Sequence, residues 1–399
     1  MKKFLILIIT IFYASSILAQ NITFNNEKIK QKNYLQEIPY KKTRGVPLVP
    51  VTINGKTYNF VFDTGAMLVI SDKLYKKLSL PIIGRKTITG SSGENRKMRC
   101  ISLPTLNLQE LTFVDTQGVV FHEDSDFFEC LGIDGIIGGN MLRNFIVHFD
   151  EQNEHIIITN DIKNISINKK EYLKMKLSKY GNPFITITLR KGEKSMPHRV
   201  LFDSGQNAFF VMSTIAYLWS NGLADTVDKI AESEGSSAFG VHGLEPKQQN
   251  ILLNVPGLVV GKTTFNNVII NTTHFSYSRI GAELFRYGKT TLDFKKKRFY
   301  FEPYDNINTD ELSKYPPSIG STLQNNKRVV GIIWDKSLES QINLGDEILS
   351  INGIDLRPMD FCELFTLDIP DCDKCIYELK DVNTGEIKEV EVSRMWLKE

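Results

Sequence analysis

The chain has 399 residues, of which 42% are hydrophobic and 24% charged, with 48 basic and 46 acidic side chains and a net charge of +2. That length and composition suit two to three domains with packed cores. The near-even charge, with its basic residues scattered, argues against a nucleic-acid partner or an anionic membrane surface.

The first twenty residues read as a secretory signal. Lys2 and Lys3 precede an apolar run from Phe4 to Leu18, and Ser16-Ile17-Leu18-Ala19-Gln20 offers a cut after Ala19 or Gln20. The run is short for a membrane span, which makes cleavage a better reading than an uncleaved anchor. The mature chain is expected to be exported, to a periplasm or the medium, with no span left after cleavage. Disulfides can form there.

The chain then repeats itself. Gly45-Val46-Pro47 leads into a strand from Leu48 to Ile53, Asn54-Gly55 marks a hairpin turn, and a second strand ends at Val61-Phe62-Asp63-Thr64-Gly65-Ala66. Gly181-Asn182-Pro183 leads into a strand from Phe184 to Leu189, and a later strand ends at Leu201-Phe202-Asp203-Ser204-Gly205-Gln206. Ile137-Gly138-Gly139-Asn140-Met141-Leu142-Arg143 pairs with Ile280-Gly281-Ala282-Glu283-Leu284-Phe285-Arg286, and Ile156-Ile157-Ile158 with Phe299-Tyr300-Phe301. Between these anchors lie Gly90-Ser91-Ser92-Gly93 and Gly240-Val241-His242-Gly243, each read as the tip of a flexible hairpin. The pattern predicts a duplicated, all-β, bilobal fold: lobe one over 37–160, lobe two over 170–303, and a Lys-rich join near Lys163 to Lys176. The run Lys295 to Arg298 is read as a solvated hairpin turn.

A lone Asp-Thr/Ser-Gly is a weak signal, and two Asx-turns would explain the pair alone. They would not explain the glycine elements that follow both. Packing the lobes about a two-fold axis brings Asp63 and Asp203 together, and two close carboxylates hold one proton between them. The ionised member then takes a proton from a trapped water while the protonated member polarises a scissile carbonyl. Gly65 and Gly205 let the backbone approach the reacting centre, the Thr64 and Ser204 hydroxyls can cross the interface, and the glycine hairpins can close over an extended polypeptide. No HExxH, nucleophile elbow or phosphate loop is present among scattered histidines, so neither metal nor cofactor is expected. His242 fits a solvated tip better than a substrate contact.

These residues resemble the pepsin-like and retropepsin-like aspartic proteases. Asp63-Thr64-Gly65-Ala66 resembles the retropepsin-like form, and Ile136-Ile137-Gly138 and Arg279-Ile280-Gly281 resemble the hydrophobic-hydrophobic-glycine element that braces the catalytic loop. The resemblance covers about residues 37–303 and implies that each lobe donates one aspartate, Asp63 and Asp203, to peptide hydrolysis. Gln206 replaces the small residue at its position and is expected to hydrogen-bond an aspartate oxygen. Arg279 replaces an apolar residue, and no clear tyrosine marks the first hairpin. The alternative is an inactive scaffold that holds extended chains. A monomer is expected.

Residues 304–317, ending in Pro316-Pro317, read as a linker. Beyond it, Val329 to Ile333 reads as a strand and Ser337 to Asn343 as a short helix. Leu344-Gly345-Asp346-Glu347-Ile348-Leu349-Ser350-Ile351-Asn352-Gly353 resembles the PDZ domain, and implies a small α+β unit over 318–399. Ser318-Ile319-Gly320 would then be the loop whose free amides capture a peptide C-terminus. Of five cysteines, at least one is unpaired within the chain. Cys100–Cys130 is a candidate staple of lobe one. Cys372 and Cys375 read as thiols or as part of a bridge with Cys362, rather than as a redox or zinc pair.

Overall fold

The computed structural model describes residues 22, 24, 28–89, 95–121, 127–236, 239–240, 243–244 and 247–396. The expected signal at 1–20 therefore lies outside the described residues. Most of the described chain is β. Lobe one is built on a 9-stranded sheet, lobe two on an 8-stranded sheet, and a separate 6-stranded sheet closes the base between them.

The two lobes repeat one pairing scheme. In lobe one the strands Val46–Ile53 and Lys56–Asp63 form a hairpin through Asn54 and Gly55, whose φ values of 50° and 73° are those of a tight primed turn. The strand Gly135–Gly138 then runs parallel to the second of them, with Gly138 opposite Asp63. In lobe two Pro183–Lys191 and Lys194–Asp203 form the hairpin, and Arg279–Gly281 runs parallel to its second strand with Gly281 opposite Asp203. A capped helix follows each aspartate loop: Asp72–Leu78 behind Ser71, and Thr214–Leu223 behind Ser213.

The basal sheet joins the lobes. Ile146–Asp150 pairs antiparallel with Gly288–Asp293, placing His148 opposite Thr291 and Phe149 opposite Thr290. His148 Nδ1 and Thr291 Oγ1 lie 2.7 Å apart, and burial holds the ring's pKa down to about 4. Above this sheet five phenylalanines fill the interface. Phe149 stacks on Phe285 at 4.3 Å, and Phe62 and Phe202, each preceding an aspartate, meet Phe149 edge-on at 5.7 and 6.4 Å. Phe299 lies 5.1 Å from Phe202. Each such pair adds roughly 0.5–1.5 kcal/mol beyond its buried area.

Lobe one begins before the expected residue 37. Phe24 and Tyr34 are buried, Lys28–Ile29 pairs with Phe113 and Val114, and Leu35–Pro39 pairs with His155–Thr159. The stretch 304–317 is not a free tether either: it contains a helical turn, Asp310–Ser313, whose Leu312 is buried in the main core.

The C-terminal unit has its own 6-stranded sheet and core. Its Lys327–Ile333 strand is longer than Val329 to Ile333, and the expected helix from Ser337 to Asn343 is a shorter helical turn at Lys336–Ser340. Asp346, fully buried, accepts the amides of Asn343 and Val382 at 2.9 Å each and pairs with Lys388 Nζ at 2.9 Å. Gly345 before it sits at φ 94°, a conformation that favours glycine. The Gly-Asp pair thus pins a turn across the sheet.

This unit docks on both lobes. Towards lobe one, the helix Phe361–Thr366 packs on the helix Phe127–Cys130 through Phe365 and Phe127, 5.8 Å apart, and Arg44 Nη1 donates to Phe365 O at 2.7 Å. Towards lobe two, the Ser236 amide donates to Gly331 O at 2.8 Å. A Cβ on Gly331 would fall far inside contact distance of Ser236 O, so this approach needs glycine. Leu252, Ile332, Trp334 and Met395 bury a small shared core beside it.

The disulfides differ from expectation. Cys130 is bonded to Cys362, not Cys100, and Cys372 is bonded to Cys375. Cys100 points into the core of lobe one and is buried as a free thiol, whereas Cys130 ends a helix on the face that meets the C-terminal unit. Among the described residues no helix is long and apolar enough to cross a membrane.

Candidate active site

Asp63 and Asp203 each end a strand at the lobe interface, and each carboxyl lies against the other lobe's glycine. A Cβ placed on Gly65 would meet Asp203 Cγ at 2.5 Å, and one on Gly205 would fall closer still to Asp63 Cγ. Only glycine lets the two loops interlock so closely.

The hydroxyls cross between lobes as a matched set. Thr64 Oγ1 donates to Phe202 O at 2.8 Å and accepts the Ser204 amide at 3.1 Å. Ser204 Oγ donates to Phe62 O at 2.7 Å and accepts the Thr64 amide at 3.0 Å. Thr64 and Ser204 are both fully buried, so each bond satisfies a group that would otherwise be left without water.

The carboxyls differ in their partners. Asp63 Oδ1 accepts the amides of Gly65 and Ala66 at 2.8 and 2.9 Å. Asp203 Oδ1 accepts the Gly205 amide at 3.2 Å, and Asp203 Oδ2 faces Arg279 Nη1 at 3.3 Å. Burial, followed by the charge of Asp203 and a hydrogen bond with it, raises the Asp63 pKa well above the usual carboxylate range, and the Gly65 amide and Arg279 offset only part of this. A shared proton follows from that balance.

The glycine elements brace both loops from behind. The Gly139 amide donates to Ala66 O at 2.9 Å, and the Ala282 amide donates to Gln206 O at 2.6 Å. A Cβ on Gly138 or Gly281 would collide with the aspartate loop it backs.

Residues 49–141 match the aspartyl protease family model. The aspartyl protease match spans Asp63-Thr64-Gly65 and Ile136-Ile137-Gly138, the two elements that meet in lobe one. Among solved structures, the chain is similar to an aspartic proteinase from Irpex lacteus, at 13% identity and a TM-score of 0.44 over 68% of this chain and 98% of that one. It is also similar to a retropepsin-like aspartic protease from Rickettsia conorii, at 20% identity and a TM-score of 0.25 over 33% of this chain and 94% of that one. No curated protein matches the sequence.

Asp63, Thr64, Gly65, Asp203, Ser204, Gly205 and Gln206 lie together. Gln206 does not bond an aspartate oxygen: its Oε1 is buried with no partner, while its backbone is taken up by Asp203 O and the Ala282 amide. Gly90, Ser91, Ser92 and Gly93 follow the strand Ile82–Thr89, but they and the tip residues Val241 and His242 lie outside the described residues. Gly240 pairs with Gly243, so the second hairpin forms, and it lies against the C-terminal strand Ile319–Gln324. Ile319 and Gly320 open that strand of the C-terminal unit, and Ser318 precedes it. Their expected free amides fail at Ser318, whose N–H donates to Ser393 O at 2.9 Å. Among the described residues no three His, Cys, Asp or Glu side chains cluster as metal ligands.

One contributor was hidden in the sequence. Asn182 Nδ2 donates to Thr64 O at 3.2 Å and to Ala66 O at 2.9 Å, so lobe two holds the aspartate loop of lobe one. Its signal was present in Gly181-Asn182-Pro183, where a polar residue sits between a glycine free to take a positive φ and a proline of fixed φ.

Proposed function

We propose that the chain is an exported aspartic endopeptidase in which Asp63 and Asp203 share one proton and activate a water against a peptide carbonyl. The observation that carries this is the reciprocal fit of each carboxyl against the opposite glycine, locked by the Thr64 and Ser204 hydroxyls. A buried pair so arranged suits general acid–base hydrolysis without a covalent intermediate. The aspartyl protease match over lobe one supports the same reading.

The substrate is an extended polypeptide held between the lobes beneath the glycine hairpins. Export rests on the signal-like residues 1–20 and on the Cys130–Cys362 and Cys372–Cys375 disulfides, which persist outside a reducing cytoplasm. The C-terminal unit is PDZ-like in its Gly345-Asp346 turn and its Asn352-Gly353 hairpin; its docking on both lobes supports a bracing role, since the Ser318 amide is already taken.

The test is cleavage of denatured casein by mature protein at several acidic to neutral pH values. Asp63→Asn and Asp203→Asn are each expected to lose about 10²–10⁴-fold in rate, and a statine-type inhibitor to block the wild type. Equal cleavage by wild type and both variants refutes the proposal. Peptide binding without cleavage by the wild type would mark an inactive scaffold instead.

A further inference from the structure

Arg279 stands where a brace of this kind needs only an apolar side chain. The residue before Ile280 pairs with Leu201 on one side and Val211 on the other, a setting that calls for packing rather than charge. Its guanidinium is largely enclosed, lies 3.8 Å from the Phe275 ring centroid, and reaches Asp203 Oδ2 at 3.3 Å. Its Nε is buried with no hydrogen-bond partner. Enclosing a cation this way is expensive unless a fixed anion faces it.

We propose that Arg279 is a positioning residue that decides which carboxyl of the pair carries the charge. Asp203 stays ionised against the guanidinium and takes the proton from water; Asp63 keeps the shared proton. This rests on the aspartic endopeptidase reading. The step balances: the water oxygen bonds the carbonyl carbon, one water proton passes to Asp203, and the carbonyl oxygen takes the proton of Asp63, giving a neutral diol.

The competition between the carboxyls is close enough to need the cation. Two amides favour charge on Asp63, against one on Asp203. The amides offer Asp63 dipoles, whereas the guanidinium sets a full positive charge beside Asp203 Oδ2, which tips the balance to Asp203. The charges acting on Asp63 are those of Asp203 and Arg279. On the strand that ends at Asp203, Arg199 lies over the Phe184 ring at 4.4 Å, and His198 is tied to Ser278 Oγ at 2.8 Å and kept neutral by burial down to about pH 4. Without Arg279 the two amides at Asp63 prevail and the charge moves to that side.

The experiment is an NMR titration of mature protein labelled with ¹³C at aspartate Cγ, the pair's resonances being assigned from Asp63→Asn and Asp203→Asn. In the wild type, Asp203 is expected to ionise first. In Arg279→Met, and in Arg279→Gln as a second neutral variant, that first step is expected to rise by about one pH unit or more, the usual effect of removing an opposite charge within 4–6 Å, and to move to Asp63. Arg279→Lys should restore the wild-type order. The acid limb of casein cleavage should shift upward in parallel. Superimposed titrations for wild type and both neutral variants overturn the proposal. A wild type that cleaves nothing would sink the endopeptidase reading alone, because the titration is read without turnover.

Discussion

Replacing Ser204 by alanine removes one hydroxyl and strands two backbone groups at the lobe interface. The Thr64 amide loses its acceptor at 3.0 Å and Phe62 O loses its donor at 2.7 Å. Both belong to fully buried residues, and leaving such a group unpaired costs about 1–3 kcal/mol. The loss is therefore about 2–6 kcal/mol, and at roughly 2 °C per kcal/mol for a unit of this size it lowers the melting temperature by about 4–12 °C. Thr64→Val, which keeps shape and loses the bonds to Phe202 O and the Ser204 amide, should cost a similar amount. Because each hydroxyl orders the loop that the other grips, the pair should couple by about 1–2 kcal/mol in a double-mutant cycle. Differential scanning calorimetry on the wild type, both single variants and the double variant measures this. A Ser204→Ala melting point within about 1 °C of wild type, or strict additivity of the two losses, would refute the view that these hydroxyls lock the lobes.

Three further outcomes follow from the geometry. Gly205→Ala places a methyl group on the Asp63 carboxyl and should abolish casein cleavage while far-UV circular dichroism stays unchanged; retained activity would contradict the interlocked loops. His148 and His198 are buried with pKa values lowered from 6.5 to about 4, so the unfolded chain takes up protons first and stability falls as pH drops from 6.5 towards 4, by about 3 kcal/mol for each ring. Urea midpoints across that range should show the loss, and it should shrink in His198→Gln; an unchanged slope there would mean that the ring is not its source. Cys362→Ser opens a bridge spanning 232 residues, worth about 5 kcal/mol in the chain-entropy model. Cys130→Ser should match it in melting temperature, and the double variant should lose no more than either single one.

The pair of aspartates was legible because a repeat announces itself: the same strand, turn and glycine brace recur in the same order, and the register places Gly138 opposite Asp63 and Gly281 opposite Asp203. Hairpins with local turns, such as Asn54-Gly55, were readable for the same reason of short range. What joined distant parts was not. Five cysteines allow many pairings, and nothing local to Cys130 distinguishes Cys362 from Cys100. The close approach of Gly331 to Ser236, which seats the C-terminal unit on lobe two, leaves no mark in either segment beyond a glycine. Arg279 was visible as an oddity, but its partner depends on the fold that delivers Asp203. Gln206 shows the opposite failure, since its type suggested a side-chain contact, whereas its backbone is what the site uses and its Oε1 is left without a partner.

The bond from Cys130 to Cys362 also changes what a nick means. A proteolytic cut in the stretch 304–317, to either side of the turn that buries Leu312, breaks the backbone link to the C-terminal unit. Here the severed piece stays attached to the far lobe, so the cut chain would run as one band without reductant and as two with it. Wear at the connector is thereby made survivable, and a preparation that looks whole on a non-reducing gel is not thereby shown to be uncut.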